Sequence, residues 1–275
     1  MHYLSFTWNP SEGIDLGFFL IRYYSLMFVV AFSLGWFITK RIFSNENLSL
    51  EKLDSLFIYM VIAILLGARL GHVLFYQSDL ILKDPISVLL PFRTVPEFEY
   101  TGFQGLASHG AAIGVIIAMF IYSKKVLQKP VLWILDRVVI AVASGAIFVR
   151  IGNFLNSEII GKATNSDFGV IFKRLGEDFP RHPAQLYESL GYVFVFLILW
   201  LLYWKTEKRN QRGFLFGSFL VLLFTVRFFV EFMKEAQVDE RAEWALNTGQ
   251  LLSIPLVITG LYFIATSSKK TAGLT

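Results

Sequence analysis

Between Val149 and Gly161 the chain reads V-R-I-G-N-F-L-N-S-E-I-I-G, which sets Arg150, Asn153, Asn156 and Glu158 close together in sequence. The residues ahead of them, Val138 to Val149, form an apolar run with the character of a membrane-spanning helix. A guanidinium, two amides and a carboxylate at the edge of hydrocarbon are costly unless they meet partners. A lone Arg at a helix end commonly snorkels to the headgroups. Four strongly hydrogen-bonding side chains, with Gly152 and Gly161 loosening the backbone, point instead to a functional site.

Five more stretches put polar chemistry on apolar segments. Ile21-Arg22-Tyr23-Tyr24-Ser25 opens the first apolar run and reads as an interfacial aromatic belt with an anchoring Arg. Gly67 and Gly71 flank Arg69 on the second run; they permit close helix approach, so Arg69 suits an interhelical pair as well as a functional role. Ser108-His109-Gly110 opens the third run, and His109 is either a base near neutral pH or a hydrogen-bonded structural group. Arg181 to Glu188, R-H-P-A-Q-L-Y-E, begins the fifth run: Pro183 fits a first helical position, and the amides after it suit an anion or the Glu188 carboxylate. Arg227 and Glu231 stand four apart on one face of the sixth run, where a structural ion pair is the simplest reading.

These groups need elements to carry them. The chain has 275 residues, 55% hydrophobic and only 17% charged, with 28 Phe and a mean hydropathy of +0.56. Soluble domains carry about 25% charged residues, and several windows here reach the ~20 apolar residues that cross a bilayer. The expected fold is an all-α polytopic membrane protein with spans near 17–38, 54–77, 109–123, 131–149, 185–204, 213–232 and 249–266. Residues 1–275 are read as one polytopic domain, with 78–108 as an extracytoplasmic arm and 150–184 as an extracytoplasmic cap. A short helix is expected at Ile86 to Leu90 and a strand at Phe168 to Phe172.

Orientation follows from Lys and Arg in the loops. Lys40, Arg41 and Lys52 lie in the first-to-second loop, Lys124, Lys125 and Lys129 in the third-to-fourth, and Lys205, Lys208, Arg209 and Arg212 in the fifth-to-sixth. The N-terminus is therefore expected outside and the C-terminus in the cytoplasm. Arg22, Arg69, His109, Arg150, Pro183, Arg227 and Glu231 are then all expected toward the outer face. Gathered guanidiniums there suit a phosphate-bearing substrate, since Arg binds phosphate in a bidentate fork.

Other classes are excluded or disfavoured. The chain has no Cys, which removes disulfides, thiolate metal sites and a thiol nucleophile of its own. The net charge of +4 is modest and no basic face with interleaved aromatics is present, so no nucleic-acid partner is expected. His109, His182 and the carboxylates lack metal-ligand spacing, and neither a metal nor a cofactor is expected. The first residues lack a basic region and a cleavage site, so no signal peptide is expected to be removed. A transporter or binding protein for an anionic solute or lipid would also gather arginines. A transporter would need polar sites reachable from both faces and shows internal repeats in many cases, and none is seen here.

The motif R-I-G-N-F-L-N-S-E-I-I-G resembles that of the bacterial phosphatidylglycerol–prolipoprotein diacylglyceryl transferase family. I-R-Y-Y-S, H-G-A-A-I-G-V, H-P-A-Q-L-Y-E, R-F-F-V-E-F and L-N-T-G-Q-L-L-S-I-P support it, in order from Ile21 to Pro255. Val149 and Ala111 stand where the family usually has Gly. The resemblance implies a bacterial inner-membrane enzyme with its site toward the outer face. Its partners would be phosphatidylglycerol, other membrane lipids and the signal peptide of a prolipoprotein. The enzyme would move the diacylglyceryl group onto the thiol of the lipobox cysteine and release glycerol phosphate, the first step of lipoprotein maturation. The family's important residues carry over to Tyr24, His109, Arg150, Asn153, Glu158, Gly161, Arg227 and Glu231. Arg150 and Arg227 would hold the phosphate, with Tyr24, Asn153 and Gly161 completing the lipid site. His109, Glu158 and Glu231 remain alternative bases for the thiol.

The expected topology is open to direct measurement. Single Cys residues placed in this Cys-free chain should label from outside in intact cells at position 165. At position 125 they should be protected until the membrane is opened. The reverse pattern would put the polar groups at the cytoplasmic face.

Overall fold

The computed structural model describes residues 6–18, 20–90, 92–100, 105–165, 167–235 and 246–272. In chain order the elements are strands β1 (Phe6–Trp8), β2 (Gly13–Asp15) and β3 (Leu20–Arg22), then helices α1 (Tyr23–Asn45), α2 (Leu50–Tyr76), α3 (Leu80–Lys83) and α4 (Pro85–Leu89). Strands β4 (Phe92–Arg93) and β5 (Glu99–Tyr100) follow, then α5 (Ser108–Tyr122), α6 (Val131–Leu155), β6 (Val170–Phe172), α7 (Ala184–Lys205), α8 (Phe214–Val230) and α9 (Thr248–Ala272). Among the described residues seven helical stretches are long and apolar enough to cross a membrane, carried by α1, α2, α5, α6, α7, α8 and α9. The chain is thus a mostly helical multi-pass membrane protein.

Three boundaries differ from expectation. The first span opens at Tyr23 and runs to Asn45, not 17–38, because Gly13–Asp15 and Leu20–Arg22 ahead of it are antiparallel strands in which Gly13 pairs with Arg22 and Asp15 with Leu20. Asp15 Oδ1 accepts the Gly17 amide at 2.8 Å, and Gly17 sits at φ 83°, a left-handed turn that needs no helix. Arg22 is consequently a strand residue beside the helix. Helix α6 continues to Leu155, so the segment expected to leave the helix at 150 leaves it more than a turn later. The strand expected at Phe168 to Phe172 is the shorter β6, and its partner is β1, in parallel register from Phe6–Val170 to Trp8–Phe172.

The chain divides into two compact units, residues 42–134 and residues 1–41 with 135–275. In the first, α2 packs on α5 through glycines. A Cβ on Gly67 would lie 2.6 Å from the Gly110 carbonyl oxygen, and one on Gly110 would lie 2.2 Å from that of Gly67. Only glycine permits this approach, which places the start of α5. The expected short helix is present as α4, and Arg69 reaches it, donating through Nε to the Val88 carbonyl (3.1 Å) and through a terminal nitrogen to that of Ser87. Asp84 organises the same segment: its carboxylate accepts the Thr94 amide (2.7 Å) and hydroxyl (2.6 Å) and meets the Ser87 hydroxyl. Those hydrogen bonds, Ser87's first, hold the Asp84 carboxyl well below the usual carboxylate range. Arg69 therefore serves here to pin the arm.

In the second unit α8 packs on α7 and α9. Phe154, Val170 and Phe172 form a small buried core with Trp8, Ile160 and Leu186 around it. Trp8 stacks on Phe154 at 4.7 Å and donates its indole N–H to the Phe154 carbonyl at 3.1 Å. Reciprocal amide bonds of 2.9 Å between Val170 and Arg181 close this segment. Arg181 then forks onto Glu177 and reaches Glu235 at 2.6 Å; the Glu177 bond is the largest cause raising its guanidinium pKa. The closed segment leads from the end of α6 to the start of α7, and its Lys162 amide donates to the Met233 carbonyl just beyond α8.

Candidate functional site

At the end of α6 the side chains of Arg150 and Asn153 stand one turn apart, and Arg150 donates to the Asn153 carbonyl oxygen at 3.1 Å. Tyr24, near the start of α1, is hydrogen-bonded to the Asn153 amide. That amide also donates to Glu158 Oε2 at 3.2 Å, and Asn156 donates to Glu158 Oε1. One motif thus folds its own polar groups into a chain from guanidinium to carboxylate.

The centre of the cluster is a residue on the next helix. Glu188, in the second turn of α7, has a side chain 0% exposed; one of its oxygens lies 2.8 Å from Arg150 Nε and the other 3.0 Å from Lys234 Nζ. Tyr192 donates to the same carboxylate at 3.4 Å and accepts from Arg150. Lys234, 3% exposed, also lies 2.8 Å from Glu231 Oε1. Glu231 in turn accepts from the Asn247 amide at 3.1 Å. Asn247 and Gln250 cap α9 reciprocally, each side chain accepting the other's backbone N–H (2.9 and 3.0 Å). The ends of α6 and α8 and the starts of α7 and α9 are therefore tied to one another through side-chain charge.

Arg227 is the less committed guanidinium. Its Nε lies 3.5 Å from Glu231 Oε1, too long for a good hydrogen bond. Its side chain is 34% exposed against 15% for Arg150. The expected Arg227–Glu231 pair is present, yet Lys234 holds Glu231 more closely. Arg227 can therefore turn a donor edge outward, whereas Arg150 is oriented by Glu188, Asn153 and Tyr192.

Glu158 differs from the other two carboxylates. It is exposed, it meets amides and makes no ion pair among the described residues, and it sits between two residues in the left-handed region, Ser157 at φ 56° and Ile159 at φ 55°. That conformation is an outlier for β-branched Ile, with a cost of roughly 1–3 kcal/mol that the surroundings must hold in place. They do so through the fully buried Gln185, whose side-chain amide donates to the Glu158 carbonyl. Gly161 then lets three backbones meet: its amide donates to the His182 carbonyl at 3.0 Å, and a Cβ there would lie 2.4 Å from that oxygen and 2.8 Å from the Met233 oxygen.

Tyr24, Arg150, Asn153, Glu158, Gly161, Arg227 and Glu231 are therefore brought together in one unit. His109 lies in the other unit, exposed at the start of α5, with its ring against Phe75 (4.9 Å) and Tyr76 (5.8 Å). Two participants escape sequence reasoning. Glu188 reads as a companion of the helix dipole when it is the hub, and Lys234, three residues after Glu231, is hidden by the F-M-K end of an apolar run. The usable signal is charge balance: Arg150 and Arg227 have too few partners unless Glu188 faces them. Among the described residues no group of three or more His, Asp or Glu side chains is placed to hold a metal ion. Beside the cluster, His182, Tyr187, Phe229, Val230 and Met233 line an apolar cavity of about 260 Å³.

A family model described as prolipoprotein diacylglyceryl transferase matches residues 12–266. A Bacteroides fragilis protein is 41% identical over 270 residues, 97% of each chain. A Tolumonas auensis protein is 39% identical over 266 residues, covering 96% of this chain and 98% of the relative. An Ehrlichia canis protein is 35% identical over 247 residues, 89% and 90% respectively. All three are named phosphatidylglycerol–prolipoprotein diacylglyceryl transferase.

The hub makes a sharp stability prediction. Arg150, Lys234 and Arg227 face Glu188, Glu231 and Glu158, so the cluster is neutral. Glu188→Gln should strand buried cations and lower stability by about 3–5 kcal/mol. Adding Lys234→Met restores neutrality and should recover most of that loss, read as the melting temperature in detergent. A double mutant no more stable than the single would remove charge balance as the organising term.

Proposed function

The chain belongs to the prolipoprotein diacylglyceryl transferase family, and we propose that its buried ion cluster is where that family's reaction takes place. The enzyme transfers the diacylglyceryl group of phosphatidylglycerol to a prolipoprotein, the first step of lipoprotein maturation. The finer reading is that the acceptor is the lipobox cysteine thiol and that the site faces outward from a bacterial inner membrane, with the N-terminus outside. Residues 78–108 are then an extracytoplasmic arm and 150–184 an extracytoplasmic cap on one polytopic domain. The observation that carries the site is two guanidiniums of unequal commitment beside a carboxylate that no cation holds.

The roles follow from the geometry. The thiolate attacks the glycerol carbon that bears the phosphate; a C–S bond forms, the C–O bond breaks, and its electron pair leaves with glycerol phosphate. Charge grows on the phosphate oxygens, which Arg227 meets with its uncommitted edge while the fixed Arg150 supports it. Tyr24 and Asn153 position the headgroup, and Gly161 shapes the floor on which it rests. The thiol proton must be taken up, since the thiolate is the nucleophile. Glu188 and Glu231 are engaged by cations and make poor acceptors. Glu158, exposed and amide-bound, is the carboxylate available. His109, at the exposed start of α5, is the second candidate. The apolar cavity by His182 suits a lipid chain.

Protein incubated with phosphatidylglycerol and a lipobox peptide should release glycerol phosphate and add a diacylglyceryl mass to the peptide. A Ser peptide should not react. Equal modification of both peptides, or none of either, would reject the transferase reading.

Assigning the base needs a pH profile. Replacement of the true base, Glu158→Gln or His109→Gln, should slow turnover by roughly 10²–10⁴-fold. The deficit should shrink as pH rises and the thiol ionises unaided. A variant with a pH-independent deficit has lost a positioning group instead.

A further inference from the structure

The opposite end of the same unit holds a second cation cluster that the transfer reaction does not use. Trp204 lies about 24 Å along α7 from Glu188. Arg41, exposed near the end of α1, rests its guanidinium on two indoles at once, 5.4 Å from the Trp200 ring and 5.2 Å from the Trp204 ring. Those rings are tilted 51° to each other at 5.5 Å, so they form a corner that Arg41 occupies. Contacts of this kind engage the face of a guanidinium and leave its in-plane N–H donors for other partners. Among the described residues Arg41 makes no ion pair with a carboxylate. Beside it, Trp204 Nε1 is buried and has no hydrogen-bond acceptor among the described residues. An indole N–H can only donate.

Further cations surround this donor pair. Lys40 stacks on Trp36 at 4.7 Å, Arg209 on Tyr203 at 5.9 Å and Lys208 on Phe214 at 4.6 Å, while Lys205 is exposed at the end of α7. The carboxylates of this unit at that end are already engaged. Glu207 accepts from Asn210 at 2.6 Å, and Asp136 accepts the Gly213 and Phe216 amides at 2.7 and 2.9 Å, capping α8. Donors without acceptors, at the membrane end of three spanning helices, call for an anion held at headgroup depth.

We propose that Arg41 and Trp204 form a binding site for the phosphate of an anionic phospholipid in the leaflet at this end of the bundle. The lipid is the source because the donors sit where spans α1, α7 and α8 meet the interface, where basic clusters recruit anionic headgroups. The planar guanidinium, held by the indoles, takes two phosphate oxygens, and the indole N–H takes a third contact. The basic side chains around it add long-range attraction. The site holds a lipid without reacting it, and it stands independently of the transferase reading.

The test uses the intact protein in phosphatidylcholine vesicles, with tryptophan quenching by brominated lipid as the readout. The Trp200→Phe/Trp204→Phe variant supplies the background from the other tryptophans. Brominated phosphatidylglycerol should quench the Trp200 and Trp204 signal at least two-fold more than brominated phosphatidylcholine at the same mole fraction. Arg41→Gln, with an unchanged melting temperature, should abolish the excess. If that variant does not fold, Trp204→Phe, which keeps an aromatic face and deletes the donor, should reduce the excess of the remaining Trp200. Equal quenching by the two lipids overturns the proposal. So does an excess that survives Arg41→Gln, which would assign it to the general basic face. Loss of the excess on adding millimolar glycerol phosphate would overturn the lipid assignment in favour of a soluble anion.

Discussion

Everything in the ion cluster hangs on a carboxylate that water does not reach. Glu188 shares its two oxygens between Arg150 and Lys234, and all three side chains are largely or wholly buried. A charge in that setting is tolerable only with its complement in place. The set is consequently all-or-none. It also carries direction: through Lys234 the balance passes to Glu231, through Glu231 to Arg227, and through Arg150 to Asn153 and Tyr24. The helix ends are held in mutual register by ion pairing as well as by apolar packing, which in a lipid-facing bundle gives little preference for one arrangement over another.

Much of this was open to reading because the membrane simplifies the problem. Apolar length alone locates the spans to within a few residues at five of seven places, and a polar residue on an apolar run announces itself. What stayed hidden was of two kinds. The first is pairing at long range. Nothing in Phe6-Thr7-Trp8 announces a strand, since its partner Val170-Ile171-Phe172 is remote, and the hairpin ahead of α1 looks like the opening of an apolar helix until Gly17 turns it. The second is rank within a cluster. Spacing pairs Arg227 with Glu231, whereas the structure gives Glu231 to Lys234 and leaves Arg227 loose. Likewise Arg69, poised between two sequence readings, is spent on two carbonyl groups of the arm.

Three carboxylates of similar chemistry thereby acquire different work from their surroundings. Two are compensated by cations and fixed; Glu158 is held by amides in a left-handed turn that Ile159 would not choose unaided. Strain of this kind persists where neighbouring contacts over-determine the backbone, and Gln185 and Gly161 supply those contacts. The same division marks the two guanidiniums. Arg150 is held on several sides, whereas Arg227 keeps a longer contact and more exposure.

The union of β1 with β6 carries a rule of parity. Strands can pair only on one side of a membrane, and among the described residues four spanning helices, α1, α2, α5 and α6, separate these two. An even number of crossings is therefore built into the fold. Were one of the four to fail to insert, Trp8 and Phe154, 146 residues apart, would be stranded on opposite faces and the segment before α7 would lose its indole lid. The pairing of the N-terminal strand is thus compatible only with an even number of crossings between it and β6.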